Sequence, residues 1–121
     1  MIKGIGTDLV EIARIKNTIL NFGHKFLHRV FTKSERLQAS VIKDQSQYHA
    51  FLAKRFAAKE AYAKALGSGI GSKISFNQIE VKNDVTGHPQ IVNLKESSNE
   101  VVHLSLTDTA KYALAYVIIE G

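Results

Sequence analysis

The chain has 121 residues, a length that suits one compact domain with a single core. Its apolar share of 45% excludes global disorder, and no apolar run approaches the roughly 20 residues that span a bilayer. Sixteen Lys and Arg against eleven Asp and Glu leave +5, and the absence of cysteine excludes disulfides and thiolate chemistry. The excess charge reads either as solubility or as a field for an anionic partner: a phosphorylated ligand, a nucleic acid or an acidic protein. No block of like charges forms a tail, so any positive patch must be assembled by folding. The opening residues lack the basic–apolar–small order of a secretory signal, which predicts a cytoplasmic protein.

In chain order, "IKGIGTDLVEI" reads as a strand with Ile5, Thr7 and Leu9 on one side and Gly4, Gly6 and Asp8 on the other. Two glycines on one strand face predict close approach by another backbone or a ligand. "EIARIKNTIL" reads as helix up to "NFG". Thr32 with Glu35 three residues later is a capping box that starts a second helix. A long helix follows from about Gln47 to Leu66, stopped by Gly67, and "GSGIGS" is a turn-rich loop.

The period then changes. "ISFNQIEV" predicts a strand, "NDVTGHP" a turn holding the only proline, and "QIVNL" an antiparallel return. "VVHLSL" and "YALAYVIIE" predict two more strands joined across "TDTAK". The last is apolar at both parities, which predicts a central strand covered on both faces. The class is α+β: an N-terminal strand and helices on a mostly antiparallel sheet, in one domain over residues 1–121.

Chemistry concentrates on the long helix. In "RFAAKEAYAKALG" a lone acid, Glu60, shares its side with Ala53, Phe56, Ala57, Ala63 and Lys64, so small neighbours leave room for something to come close. Asp8 and Glu60 fit a hard cation such as Mg²⁺, which takes one or two carboxylates and keeps waters and substrate phosphates. The alternatives are a loop-capping Asp8 and an i,i+4 pair of Glu60 with Lys64. Arg55, Lys59 and Lys64 could hold phosphate oxygens, or could simply form a solvated face. "GSGIGS" is neither a P-loop nor a dinucleotide fingerprint. His24, His28, His49, His88 and His103 show no metal-ligand spacing, and His103 reads as an ordinary strand residue. A basic α+β module for nucleic acid is the rival reading. It explains the charge but leaves Asp8 and Glu60 unused, and basic stretches interleaved with aromatics are missing.

Three stretches, "GIGTDLVEIARI", "FLAKRFAAKEAYAKALGSGIG" and "HLSLTDTAKYALAYVII", resemble the holo-[acyl-carrier-protein] synthase family of 4′-phosphopantetheinyl transferases. The likeness spans essentially the whole chain, in order and at matching length. It implies transfer of 4′-phosphopantetheine from coenzyme A to a serine of acyl carrier protein, with release of adenosine 3′,5′-bisphosphate. It also implies Mg²⁺ on Asp8 and Glu60, catalytic roles for Glu60 and Lys64, and a homotrimer with sites between subunits. By the same resemblance Arg55, Lys59, Lys64, Gly67, Gly87 and Pro89 would contact coenzyme A, and Arg14, Lys25 and Arg29 would receive the carrier. Two positions depart from the family pattern. Asp108 stands where a histidine is usual, so it turns away, touches the metal shell, or leaves the positive charge to Lys111. Ala63 stands where serine is common. A family member that binds coenzyme A without turnover is the third reading, and Asp108 is what supports it.

Overall fold

The computed structural model describes every residue, Met1–Gly121. Strand β1 (Ile2–Glu11) leads directly into helix α1 (Ile12–Phe22), followed by α2 (His24–Val30), α3 (Lys33–Ser40) and the long α4 (Gln45–Ala65). A 3₁₀ turn at Phe76–Gln78 then precedes β2 (Ile79–Asn83), β3 (Pro89–Asn93), β4 (Val101–Asp108) and β5 (Tyr112–Glu120). One sheet has the order β1-β5-β4 and a second pairs β2 with β3, every pair antiparallel. The α+β expectation holds.

Each boundary has a local cause. Thr32 and Glu35 form the capping box that starts α3, with reciprocal bonds of 3.3 Å and 2.8 Å. Helix α4 begins two residues before the expected Gln47, because the Asp44 side chain caps it by accepting from the Gln47 amide at 3.0 Å. At its other end Gly67 adopts φ +85°, and the Ala63 carbonyl accepts from the amides of Ser68 and Gly69. The strand expected over "ISFNQIEV" starts late. Ser75 and Gln78 cap each other and close the 3₁₀ turn, so pairing begins only at Ile79.

Helix α4 lies across the inner face of the three-stranded sheet. Ala53, Ala57, Ala58 and Ala61 are fully buried, as are Ala113, Ala115 and Val117 of β5. The two glycines of β1 explain how close the layers come. A Cβ at Gly4 would stand 2.0 Å from the Ala65 carbonyl oxygen, and one at Gly6 would stand 1.9 Å from that of Ala61. The expected close approach is therefore backbone on backbone. The room left by the alanines of α4 is taken up by the sheet.

Strand β5 is central, as expected, but only one of its faces is covered. Leu114 and Tyr116 stay 37% and 42% exposed, and the same outer face carries Ile5 and Leu9 of β1 at 55% and 62%. His103 shares that face, where it bonds Glu120 at 3.0 Å. Elsewhere a buried polar group ties three elements together. Glu35 Oε1 accepts from Lys59 Nζ at 2.6 Å, and Glu35 Oε2 accepts from the Val81 amide at 2.7 Å. No helix is long and apolar enough to cross a membrane.

Candidate active site

Three elements converge on one group of charges. Because Gly4 and Gly6 seat β1 on α4, Asp8, two residues further along the same strand face, lies beside the last turns of that helix. Lys64 Nζ donates to Asp8 Oδ1 at 3.2 Å and to the Thr7 carbonyl at 3.0 Å. Burial raises the Asp8 carboxyl above its ordinary range, against the bond and charge of Lys64 and the charge of Arg14. Burial likewise raises Glu60, and the negative charge of Asp8 pushes it the same way, with Lys64 and Arg14 opposing. The two acids, 52 positions apart in the chain, thus stand within each other's field.

This donor set fits a hard cation. Both carboxylates are partly desolvated and mutually repelling, a strain that a shared positive ion relieves, and oxygen is the only donor type present. No cluster of three or more His, Cys, Asp or Glu side chains exists anywhere in the chain. A metal held here would keep coordination positions for water or a phosphorylated ligand, a pattern suited to Mg²⁺.

Arg55 lies deeper. It is 4% exposed, its guanidinium stacks 3.9 Å over the Phe51 ring, and its Nη2 reaches Asn83 Oδ1 at 3.5 Å. Its Nε is buried with no partner, so a cation with an unused donor sits at the turn end of the β2–β3 hairpin. That hairpin is tightly tied. Asp84 Oδ1 accepts from the amides of Thr86 and His88, and Gly87 takes φ +88° at the tip just before Pro89. Arg55 is thereby brought to the hairpin of Gly87 and Pro89, while Gly67 closes α4 one turn beyond Lys64.

Lys59 is a correction. Its three ammonium hydrogens go to the Val30 carbonyl (2.7 Å), Glu35 Oε1 (2.6 Å) and the Phe76 carbonyl (3.1 Å), and its side chain is wholly inaccessible. It is a core residue with nothing left to offer a phosphate. Residue type and the family resemblance suggested otherwise, but consecutive residues on a helix face different ways, so Lys59 does not share the side of Glu60. Asp108 turns towards α4, with Oδ1 3.3 Å from Lys54 Nζ. Ala63 is fully buried. Arg14, Lys25 and Arg29 are exposed on α1 and α2 without a carboxylate partner. Reading the sequence had not indicated that Arg14 also acts on both acids, nor that Lys54 and Asn83 serve as partners. The Lys54–Asp108 and Arg55–Asn83 contacts join side chains 28 or more positions apart, which leave no periodic trace in one chain.

Residues 4–117 match the model of the 4′-phosphopantetheinyl transferase superfamily. The chain belongs to that superfamily. The chain is 47% identical over its full length to a holo-[acyl-carrier-protein] synthase of Bacillus cereus (strain G9842), covering 98% of that protein. A synthase of the same name from Marinomonas sp. (strain MWYL1) is 46% identical, with 100% and 99% of the two chains covered. Among solved structures, the Bacillus anthracis synthase in complex with CoA (3′,5′-ADP) superposes with a TM-score of 0.90 at 43% identity. That match covers 100% of this chain and 98% of the other. The Helicobacter pylori synthase in complex with coenzyme A gives 0.81 at 31% identity, with 96% and 99% covered. The α+β arrangement described above is accordingly the phosphopantetheinyl transferase fold.

Proposed function

We propose that this phosphopantetheinyl transferase moves 4′-phosphopantetheine from coenzyme A to a serine of acyl carrier protein, releasing adenosine 3′,5′-bisphosphate and converting apo carrier to holo carrier for fatty acid synthesis. The observation that carries this reading is the meeting of Asp8, Glu60 and Lys64 at the β1–α4 contact, in a chain of this superfamily. Asp8 and Glu60 would hold Mg²⁺. When bound, such an ion supplies Lewis acidity to a diphosphate and a template for its oxygens.

The chain's own groups have the following tasks. The carrier serine Oγ attacks the β-phosphorus of coenzyme A, a new Oγ–P bond forms, and the bond to the bridging oxygen of adenosine 3′,5′-bisphosphate breaks. The serine proton passes to a Glu60 carboxylate oxygen. Lys64, half exposed and already at the acids, offsets charge on the departing phosphate. Arg55, with its unused donor, and the hairpin of Gly87 and Pro89 would receive the nucleotide end, with Gly67 at the adjoining helix terminus. Positioning and electrostatics dominate chemistry of this kind.

Arg14, Lys25 and Arg29 supply an unpaired basic surface for an acidic carrier. The uncovered apolar face of the β1-β5-β4 sheet supports a homotrimer with sites between subunits, since a face carrying Ile5, Leu9, Leu114 and Tyr116 favours burial. The whole chain, residues 1–121, would act as one domain in the cytoplasm. The test is to incubate the protein with coenzyme A, Mg²⁺ and apo carrier and to weigh the carrier. A phosphopantetheine mass gain that a chelator prevents is expected. Coenzyme A binding without any gain would reject the transferase reading.

A further inference from the structure

The capping box of α3 has second partners outside its own helix, and they lie on β2. The Thr32 hydroxyl donates to Glu80 Oε1 at 2.6 Å, and Glu35 Oε2 accepts the Val81 amide at 2.7 Å. Strand β2 pairs only with β3, and at its other edge Glu35 takes the part of a missing strand. Without it the amide of a fully buried residue would lack a partner. Glu35 Oε1 is held in turn by Lys59 Nζ at 2.6 Å, so α3, α4 and β2 meet on one fully buried carboxylate. A buried ion pair is often no more stabilising than apolar residues of equal volume. What this one adds is direction, since each bond fixes where one element stands relative to another.

The consequence lies two residues along β2. Asn83 Oδ1 accepts from Arg55 Nη2, and Asn83 pairs across the hairpin with Pro89. On α4 Arg55 precedes Lys59 by four residues, about 6 Å of rise. On β2 Asn83 follows Val81 by two, about 7 Å along the strand. Two cross-links of matching spacing therefore join helix to hairpin, Lys59–Glu35–Val81 and Arg55–Asn83. They differ in strength. The first is short, charged and sealed from water, whereas the second is 3.5 Å long and ends on an exposed residue.

We propose that Glu35 is a positioning residue: its grip on the Val81 amide, braced by Lys59, sets the β2–β3 hairpin where Arg55 meets Asn83 with its Nε still available to a ligand anion. The functional consequence rests on the transferase reading above, in which Arg55 and the hairpin receive the nucleotide end of coenzyme A; the grip itself does not.

The test compares two double variants that leave no buried unpaired charge. Lys59→Met with Glu35→Gln keeps an oxygen for the Val81 amide, and Lys59→Met with Glu35→Leu does not. Amide exchange read by NMR on the protein alone should be about tenfold faster at Val81 in the Glu35→Leu double than in the Glu35→Gln double. The Arg55 Nε–H should exchange faster as well, while Val117 of β5 stays equal in both. In transfer assays KM for coenzyme A should be about tenfold higher in the Glu35→Leu double, with KM for the carrier within about twofold. Most of that difference should disappear in an Arg55→Gln background, where nothing is left to position. Asn83→Ala, a change at an exposed residue, should leave Val81 exchange and KM for coenzyme A near their wild-type values. Equal Val81 exchange or equal KM for coenzyme A in the two doubles overturns the proposal, as does a KM difference that survives without Arg55. If the Glu35→Leu double does not fold, Asn83→Ala decides: fast Val81 exchange and a tenfold KM rise there would put control of the hairpin at Asn83 and overturn the proposal. A wild type that transfers nothing would overturn the transferase reading instead, with exchange at Val81 and Arg55 still deciding the grip.

Discussion

Ionising Asp8 and Glu60 works against the fold, because both carboxyls are raised by burial and Glu60 also by its neighbour's charge. The native state then binds more protons than the unfolded chain over a window that opens at the ordinary carboxylate pKa and closes at the raised one. Stability from these groups therefore falls as pH rises through that window. Without divalent cations, Glu60→Gln should melt at a higher temperature than wild type at pH 7. The gain should vanish below about pH 3, where both states are protonated; calorimetry across pH reads it, and a gain that persists at low pH would contradict the assignment. Lys59 has the opposite dependence on its partner. Lys59→Met leaves Glu35 charged and buried, a loss of about 3–5 kcal/mol in chemical denaturation, part of which Glu35→Gln should recover in the double variant. The acids were legible in the sequence as an unexplained carboxylate on an alanine-rich helix and an aspartate beside glycines. The inward turn of Lys59 was not, since a buried lysine and an exposed one look alike until Glu35 is placed opposite.

Strand β1 and helix α4 meet without side chains between them at Gly4 and Gly6, and this contact sets where Asp8 stands relative to Glu60. Gly6→Ala would drive a methyl into the Ala61 carbonyl, 1.9 Å away, and neither backbone can yield cheaply. A destabilisation of about 1–3 kcal/mol is expected by denaturant titration. Transfer should fall further than the folded fraction does, because the displaced strand carries an acid; a loss of activity no greater than the loss of fold would separate the two. Most elements were readable because their signals are local: the Thr32–Glu35 box, Gly67 at φ +85°, and the apolar residues concentrated in β4 and β5. Two boundaries were missed for local reasons as well, since the Asp44 cap and the Ser75–Gln78 cap outweighed the apolar pattern on which the reading relied, and a reading that stopped at "NFG" and resumed at Thr32 assigned no helix to His24–Val30.

The molecule as a whole presents two surfaces of different character: a basic one on α1 and α2, and an apolar one on the outer face of the β1-β5-β4 sheet. Double-sided hydrophobicity in β5 was visible in the sequence, but one chain covers only one side, and what covers the other lies outside a single chain's pattern. If that face is the subunit contact, Tyr116→Lys should yield monomers in sedimentation and lose transfer together with assembly. An assembled, active Tyr116→Lys variant would place the contact elsewhere. Arg29→Glu should raise KM for the carrier by several-fold more than KM for coenzyme A, and the difference should shrink as salt screens the surface. The decisive measurement is the intact mass of apo carrier after incubation with coenzyme A, Mg²⁺ and either wild type or folded Glu60→Gln. The carrier should gain a phosphopantetheine with wild type and stay unmodified with the variant, whereas comparable turnover by both would mean that Asp8 and Glu60 do not form the working centre.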